Sequence, residues 1–216
     1  MIQVHYFTFN AFQENTYILF DESKECIIID PGCSNGNERK ALEHYIKQNE
    51  LIPVKLINTH CHIDHVLGNK WVAEHYGIEL YMNEQDLKNL KATVAYASVF
   101  GLECDESPEP AHFLNDGDTI TFGNSTLQIL FTPGHSPGSI SLYASAEGFV
   151  VAGDVLFRES IGRTDLPGGH METLLSSIRT KLFTLADETI VLSGHGEQTT
   201  IAHEKKYNPF LSGEFA

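Results

Sequence analysis

The sequence predicts a fold of the α/β (α+β) class in which strands and helices alternate along one domain, residues 1–216. Two observations lead to this prediction. Runs of β-prone apolar residues come before helical segments in the first half of the chain, and the same order returns in the second half. No linker, low-complexity segment or internal repeat interrupts the chain. Two mixed sheets packed face to face with helices outside satisfy this pattern, and so does a single mixed sheet.

The first half begins with three β-rich runs, IQVHYFTF, TYILF and CIIID, and the third ends at the turn signal DPG. A helix is predicted over NGNERKALEHYIKQN, where Leu42, Tyr45 and Ile46 share a face. A second is predicted over HVLGNKWVAEHYG, with Gly77 as its C-cap, and a third from Glu84 to about Phe100. The strands PVKLINTH and IELYM lie between these helices.

The second half follows a polar loop, CDESPEPAH, and returns to β-rich runs. DTITF, STLQILFT, SISLYA and GFVVAGD are predicted as strands because glycine, asparagine and proline separate them. METLLSSIRTKLFTL is predicted as an amphipathic helix, with Leu174, Ile178 and Leu182 on one face. A last strand, TIVLSGHG, comes before a short final helix.

Composition excludes several classes of protein. The chain is 42% hydrophobic and 20% charged, and no run approaches the roughly 18 apolar residues of a membrane helix. The first residues do not resemble a signal peptide, and the four cysteines are scattered without a CxxC pair, so we expect a cytoplasmic protein without disulfides. The net charge of −15 and the lack of a basic stripe count against nucleic acid as a partner. We expect a small-molecule partner and no membrane contact, and the sequence leaves the oligomeric state open.

The stretch NTHCHIDH places three histidines and an aspartate within six residues, His60 to His65. Imidazole and carboxylate are the ligands that zinc and similar metals prefer. In an extended segment alternate side chains point the same way, so His60 and His62 can share one ion. Asp64 and His65 follow where the chain turns into a helix, and they project to a neighbouring point. This division predicts two adjacent metal ions.

Three further candidate ligands follow predicted strands. His135 lies between two Pro/Gly turns in FTPGHSPGS, Asp154 ends VVAGD, and His195 is flanked by glycines in SGHG. Each alone is also typical of a turn or capping residue, but together they supply the ligands that the first cluster lacks. The remaining histidines are predicted to be structural or surface residues: His5, His44, His75, His112, His170 and His203.

The segments THCHIDH, TPGHSPGS, GD, GRTD and SGHG resemble the metallo-β-lactamase superfamily and, within it, the glyoxalase II group of hydroxyacylglutathione hydrolases. The resemblance covers about Asn15 to the C-terminus. It implies a four-layer αββα sandwich of two mixed sheets flanked by helices, with the site at one edge of the sheets. Carried over by position, it implies a first metal on His60, His62 and His135, a second on Asp64, His65 and His195, and Asp154 bridging both.

The expected reaction is hydrolysis. Two cations about 3.5–4 Å apart can share a hydroxide, lower the pKa of its parent water and polarise a carbonyl. Asp64 and Asp154 are the expected catalytic residues, and Asp64 is in a position to orient the hydroxide or take its proton. Zinc is the expected metal, and iron or manganese also suit these ligands. Cys61 is predicted to be a buried small residue, with a redox-sensitive thiol as the alternative.

The resemblance implies a thioester substrate such as S-lactoylglutathione. Arg163 stands where glyoxalase II proteins carry a basic residue that contacts glutathione, although it is also able to pair with Asp165. Glyoxalase II proteins have a helical C-terminal extension, and the chain stops soon after HEKKYNPFL. It therefore resembles the short bacterial subgroup.

Other functions remain as alternatives. Persulfide dioxygenases share GRTD and use a single iron, here on His60, His135 and Asp154, but SGHGEQTT and NPFL resemble the hydrolases more closely. A β-lactamase is disfavoured by the missing signal peptide, and a nuclease by the net charge. A metal-bearing interaction module without enzymatic activity is the last alternative.

Overall fold

The computed structural model describes residues 1–99 and 101–212. Its first sheet has six strands in chain order. The first three pair antiparallel and the last three join in parallel, so the sheet is mixed. Its strands are β1 (Gln3–Phe9), β2 (Glu14–Phe20), β3 (Glu25–Ile29), β4 (Ile52–Ile57), β5 (Leu80–Met82) and β6 (His112–Phe113).

The second sheet is also mixed. Its strands run in the spatial order β14-β13-β10-β9-β8-β7, and only the contact between β10 and β13 is parallel. A separate two-stranded hairpin, β11 with β12, follows β10. The bounds are β7 (Thr119–Phe122), β8 (Ser125–Phe131), β9 (Ile140–Ala144), β10 (Phe149–Gly153), β11 (Leu156–Phe157), β12 (Ser160–Ile161), β13 (Ile190–Ser193) and β14 (Thr199–Thr200).

Within the described residues, six α-helices flank the sheets. A short 3₁₀ turn, Glu84–Asp86, leads into the fourth helix, and a π-helical turn, Ile178–Leu182, continues the fifth. The helices are α1 (Gly36–Gln48), α2 (Ile63–Val66), α3 (Asn69–Tyr76), α4 (Leu87–Val99), α5 (Met171–Ser177) and α6 (Ile201–Tyr207). No helix among the described residues is long and apolar enough to cross a membrane.

Three apolar layers hold these elements together. The central layer joins the facing sides of the two sheets, with Leu19 and Ile29 against Leu127 and Leu142. A second layer packs α1 to α4 on the outer face of the first sheet. A third packs α5 and α6 on the outer face of the second sheet. Each sheet thus buries both faces. The predicted αββα sandwich of two mixed sheets is confirmed, and the single mixed sheet is wrong.

Most predicted elements form where the sequence places them. Asn35 caps α1 by accepting from the amides of Asn37 and Glu38, and Leu42 and Ile46 are buried on one face. Gly77 ends α3 in the left-handed conformation, with φ 65°, as predicted for a C-cap. Leu174, Ile178 and Leu182 are fully buried as one face, although the helix continues there as a π turn.

One predicted helix is interrupted. The segment from His65 to Gly77 forms the end of α2 and then α3, with a break at Leu67 and Gly68. The Gly68 amide donates to the Pro31 carbonyl at 2.7 Å, and the Asp64 carbonyl accepts from Asn10 Nδ2 at 2.9 Å. Because neither group makes the helical i to i−4 bond, the helix stops and the chain turns along the edge of the sheet.

The helix predicted from Glu84 to about Phe100 begins as the 3₁₀ turn and continues as α4 to Val99. Its predicted end at Phe100 lies outside the described residues. Sequence patterns missed β6, β11, β12 and β14. Each has only two residues, which is too short for an alternating pattern to identify a strand.

Candidate metal centre

All seven predicted ligands lie at one edge of the sandwich, where loops from both sheets meet. His60 and His62 follow β4, and α2 carries Asp64 and His65. The others follow β8, β10 and β13. The structure therefore brings together side chains that lie up to 135 positions apart in the sequence, from His60 to His195. Six of them form two sets: the three-histidine set, His60, His62 and His135, and the carboxylate–histidine set, Asp64, His65 and His195. The seventh, Asp154, belongs to neither set.

The ring nitrogens of the three-histidine set converge on one point. His62 Nδ1 lies 2.8 Å and His60 Nε2 lies 3.2 Å from His135 Nε2. His135 Nδ1 lies 2.8 Å from the carbonyl oxygen of Arg163, which only accepts, so Nδ1 carries the proton and Nε2 presents a lone pair. Three imidazoles facing one another this closely fit a cation between them.

The carboxylate–histidine set is equally compact. Asp64 Oδ2 lies 3.1 Å from His195 Nε2 and 3.6 Å from His65 Nε2. His195 Nδ1 lies 3.1 Å from the Phe12 carbonyl oxygen, so it donates there and directs Nε2 towards Asp64. This ring is oriented by a group outside the set, as histidine ligands of metals usually are.

Asp154 stands between the two sets. Its Oδ2 lies 3.5 Å from His135 Nε2 and 3.5 Å from His195 Nε2. Its Oδ1 lies 3.4 Å from His65 Nε2, and both of these atoms are buried without a hydrogen-bond partner. Buried polar atoms are rarely left unpaired, so this pair indicates a place for a group that the protein itself does not supply. A divalent cation fits, because it accepts both an imidazole nitrogen and a carboxylate oxygen.

Burial controls the electrostatics of the three-histidine set. It lowers the pKa of His60 well below the usual range, and the neighbouring imidazoles act in the same direction. Burial, assisted by His135, lowers the pKa of His62 to about 3. Both rings are therefore neutral at pH 7, which is the form that binds a metal.

Carboxylates control the other set. Burial alone would lower the pKa of His195, but its contacts with Asp154 and Asp64 outweigh burial and raise this pKa to about 10. The pKa of His65 is raised well above its usual value for the same reason. Burial would raise the pKa of Asp154, but the charge of His65 and the contact with His195 hold it well below the usual range. Without a metal, the two aspartates therefore hold protons on His65 and His195 at pH 7, and a divalent cation would take the place of those protons.

Asp30 orients two of the histidines and was missed from the sequence, where it was interpreted only as part of a turn. Its Oδ2 accepts from His65 Nδ1 at 3.1 Å and from Thr59 Oγ1 at 2.5 Å. Since the Thr59 hydroxyl proton goes to Asp30, Thr59 Oγ1 accepts from His60 Nδ1 at 3.1 Å. Asp30 follows β3, which lies parallel to β4 and ends at the same edge. That neighbouring strand end is the signal that could have identified it.

Two glycines make room for the ligands. Gly153 ends β10 with φ 53°, and a Cβ at this position would clash with Thr59 of the first sheet. A Cβ at Gly194 would clash with Asp154 Oδ1 and His65. Small residues are therefore required directly before Asp154 and His195, where an added Cβ has no room.

A cavity of about 520 Å³ opens over the ligands. Its walls are mostly apolar, and polar side chains from α4 and the loop after β12 join them. Arg163 lies in this wall and forms two 2.7 Å bonds to Asp165, with both side chains exposed. The wall residues include Phe12, Ile63, Asn89, Thr93, Tyr96, Phe157 and Leu166.

Cys61 and the remaining histidines lie apart from the two sets. The Cys61 side chain is buried against Met82, at 3.8 Å, in the layer under α1 to α4, and burial raises the pKa of its thiol well above the usual value. This fits the predicted small buried residue. Cys26, Cys33 and Cys104 are likewise free thiols among the described residues. Among those same residues, none of the other six histidines joins a cluster of possible metal ligands.

The fold and this centre define a metal-binding hydrolase. The chain belongs to the metallo-beta-lactamase superfamily, whose family model matches residues 9–195. The resemblance predicted from the sequence motifs is confirmed. Family membership and the clusters of histidine and aspartate together indicate divalent metal binding.

Two curated relatives extend over almost the whole chain. A probable metallo-hydrolase of Bacillus subtilis, YqgX, is 41% identical over 202 residues, 93% of either chain. Hydroxyacylglutathione hydrolase GloC of Haemophilus influenzae is 39% identical over 206 residues, 94% of this chain and 95% of its own.

Solved structures show the same fold. The BLEG-1 B3 metallo-beta-lactamase superposes with a TM-score of 0.90 at 37% identity, over 98% of this chain and 100% of its own. TTHA1623 in a di-iron-bound form superposes with a TM-score of 0.86 at 35% identity, over 96% of this chain and 100% of its own.

Proposed function

We propose that this chain is a two-metal hydrolase that cleaves S-2-hydroxyacylglutathione thioesters, such as S-lactoylglutathione, to the free acid and the thiol. The position of Asp154 carries the proposal, because its Oδ2 lies 3.5 Å from a nitrogen of each set, His135 Nε2 and His195 Nε2. A carboxylate shared by two ligand sets suits two adjacent cations. Zinc is the first choice for a site of imidazoles and carboxylates. Iron is the second choice, because the similar structure of TTHA1623 is described as di-iron-bound.

Two bound divalent ions would supply a water with a pKa near neutrality and a polarised thioester carbonyl. Asp64 and Asp154 are the proposed catalytic residues. Asp64 borders the cavity with 13% of its side chain exposed. Burial would raise its pKa, but His65 and His195 outweigh burial, lower the pKa and keep the carboxylate anionic. We assign Asp64 to orient the attacking water and accept its proton, and Asp154 to hold the two ligand sets at a fixed separation.

The thioester substrate is supported by the relative GloC, which is named as a hydroxyacylglutathione hydrolase, and by the cavity wall. Arg163 presents a bidentate guanidinium, now paired with the Asp165 carboxylate at 2.7 Å. A substrate carboxylate has the same two-oxygen geometry and can replace Asp165 in that pair. The apolar wall opposite accepts the rest of the molecule.

The test is a metal count followed by assays of the purified protein. We expect two metals per chain and release of the thiol from S-lactoylglutathione. One iron per chain with oxygen uptake on glutathione persulfide would assign the protein to the dioxygenases instead. Two metals with no turnover of any thioester would leave a hydrolase with a different substrate.

A second candidate reaction is β-lactam hydrolysis. The 37% identical BLEG-1 is named as a B3 metallo-beta-lactamase, so the same fold is compatible with that reaction. A chromogenic cephalosporin belongs in the same assay. We expect its kcat/KM to be far below that of the thioester, and the opposite ranking would reverse the order of the two candidates.

A further inference from the structure

A buried aspartate joins the two loops that carry the three-histidine set. Asp86 ends the 3₁₀ turn after β5 and is fully buried. Its Oδ2 accepts from the Cys61 amide at 2.6 Å, and its Oδ1 accepts from the Gly138 amide at 2.9 Å. The Ser136 hydroxyl also donates to Oδ1 in a very short hydrogen bond. Asn89 Nδ2 adds a contact at 3.2 Å.

The sequence positions of these donors are informative. Cys61 stands between His60 and His62, in the loop after β4 of the first sheet. Ser136 and Gly138 lie one and three residues after His135, in the loop between β8 and β9 of the second sheet. The histidines that must meet at one ion therefore come from different sheets. Asp86 binds to the backbone beside each of them with a separate carboxylate oxygen.

We propose that Asp86 is the positioning residue for the three-histidine set. It touches none of the ligand atoms, and it fixes the distance between the His60–His62 loop and the His135 loop. No cation pairs with this carboxylate among the described residues, so amide and hydroxyl donors stabilise it. An asparagine at this position would direct its NH₂ group at the amide of either Cys61 or Gly138. Two donors cannot bond to each other, so the loop that carries that amide would move away.

The proposal rests on the proposed metal ligands and is independent of the proposed substrate. Its test is Asp86→Asn in two backgrounds, His195→Ala, which keeps the three-histidine set, and His135→Ala, which keeps the other set. The readout is Zn²⁺ affinity by chelator competition and the absorption spectrum of the Co²⁺-loaded protein. We expect affinity to fall by about 10–100-fold in the first background, the range for groups that orient ligands, and a changed Co²⁺ spectrum. We expect little change in the second.

The matched control is Asp21→Asn. Asp21 is also buried and accepts two backbone amides and two serine hydroxyls, but at the opposite edge of the sandwich. The Asp21→Asn substitution should lower thermal stability and leave Zn²⁺ affinity unchanged in both backgrounds. Equal weakening in both backgrounds by Asp86→Asn, or a loss of stability with unchanged affinity, would overturn the proposal. If Asp86→Asn does not fold, Ser136→Ala removes one donor and should show the same selectivity on a smaller scale.

Discussion

Two buried carboxylates at the two ends of β2 show how differently the edges of the sandwich are built. Glu14 begins the strand at the ligand edge, is fully buried, and leaves Oε1 without a hydrogen-bond partner. Asp21 follows the strand at the opposite edge, is 1% exposed, and accepts from Ser23, Asn124 and Ser125. Burial raises the pKa of Glu14 well above its usual value. Burial acts in the same direction on Asp21, but these hydrogen bonds outweigh it and lower the pKa to about 2.

This difference indicates that Asp21 has a structural role, whereas the buried polar atoms at the ligand edge have a functional one. At the Asp21 edge both carboxylate oxygens of Asp21 accept from donors within the protein, and these hydrogen bonds join the turns of the two sheets. At the ligand edge Glu14 Oε1, His65 Nε2 and Asp154 Oδ1 are buried without partners. Buried polar atoms without partners lower the stability of the fold, and a cluster of them indicates a place where the protein binds another group. Substitutions at the ligand edge should therefore change function, whereas substitutions at the Asp21 edge should change stability.

The largest expected effect is on Asp154, because it contacts both ligand sets. Asp154→Asn keeps the size of the side chain and removes its charge, so both of the proposed ions would lose an anionic ligand. We expect turnover to fall by at least about 10²–10³-fold, as for the loss of one preorganised charged group. The rise in Tm on adding a fixed concentration of Zn²⁺ should shrink, because the stabilisation by a bound ligand falls as its Kd increases.

Asp21→Asn is the matched control for that variant, since it makes the same chemical change at the other edge. It should keep the parent's kcat and its response to Zn²⁺. Similar losses of turnover in both variants would show that the two edges are not functionally distinct.

His135→Ala is expected to have the next largest effect. It removes the nitrogen on which His60 and His62 converge, at 3.2 and 2.8 Å, so one metal per chain and nearly all turnover should be lost. Elemental analysis and the thioester assay measure both. His112→Ala, an exposed histidine paired with Glu79, should keep two metals. Full thioesterase activity in His135→Ala would contradict the proposed mechanism.

The sequence was sufficient to name the seven candidate ligands, because each carries a local signal. His60 to His65 are crowded together, and His135, Asp154 and His195 each follow an apolar run with glycine or proline beside it. The structure brings them together, and their role as ligands stays a prediction that the experiments above test. Asp30 carries the same local signal, since it follows the apolar run CIII and precedes Pro31, but a single aspartate in a turn is usual and its role could not be recognised from that alone. Asp86 carries no such signal. The function of both aspartates depends on partners 25 to 52 residues away, such as Gly138 for Asp86.

The strands and helices that build the layers of the fold could also be predicted, because they too carry local signals in the sequence. Long amphipathic or apolar segments such as β2 and α1 follow their own periodicity. The break between α2 and α3 could not be predicted, because it depends on Asn10 and Pro31 taking over backbone bonds of a segment far along the chain. Choosing two sheets over one also required the family resemblance, since strand patterns alone do not specify which faces meet.

Asp21→Asn should have a moderate effect, and on stability alone. Replacing a charged acceptor that pairs with four buried or partly buried donors costs about 1–3 kcal/mol of unfolding free energy. The pKa of Asp21 is lowered to about 2 in the folded protein, so its contribution is present above its usual pKa and is lost as pH falls towards 2. The difference in Tm between parent and variant should therefore be full near neutral pH and shrink in acid. A difference that grows in acid would contradict this assignment.

The smallest expected effect is on Arg163, at the rim of the ligand edge. Its guanidinium and the Asp165 carboxylate are 61% and 67% exposed, and exposed ion pairs contribute only about 0.2–1 kcal/mol. Arg163→Met should therefore raise KM for S-lactoylglutathione about twofold to fivefold and leave kcat and metal content unchanged. Asp165→Asn frees the guanidinium for the substrate and should lower KM. If both variants change kcat and not KM, Arg163 acts on His135 through its backbone carbonyl, 2.8 Å from Nδ1, and not on the substrate.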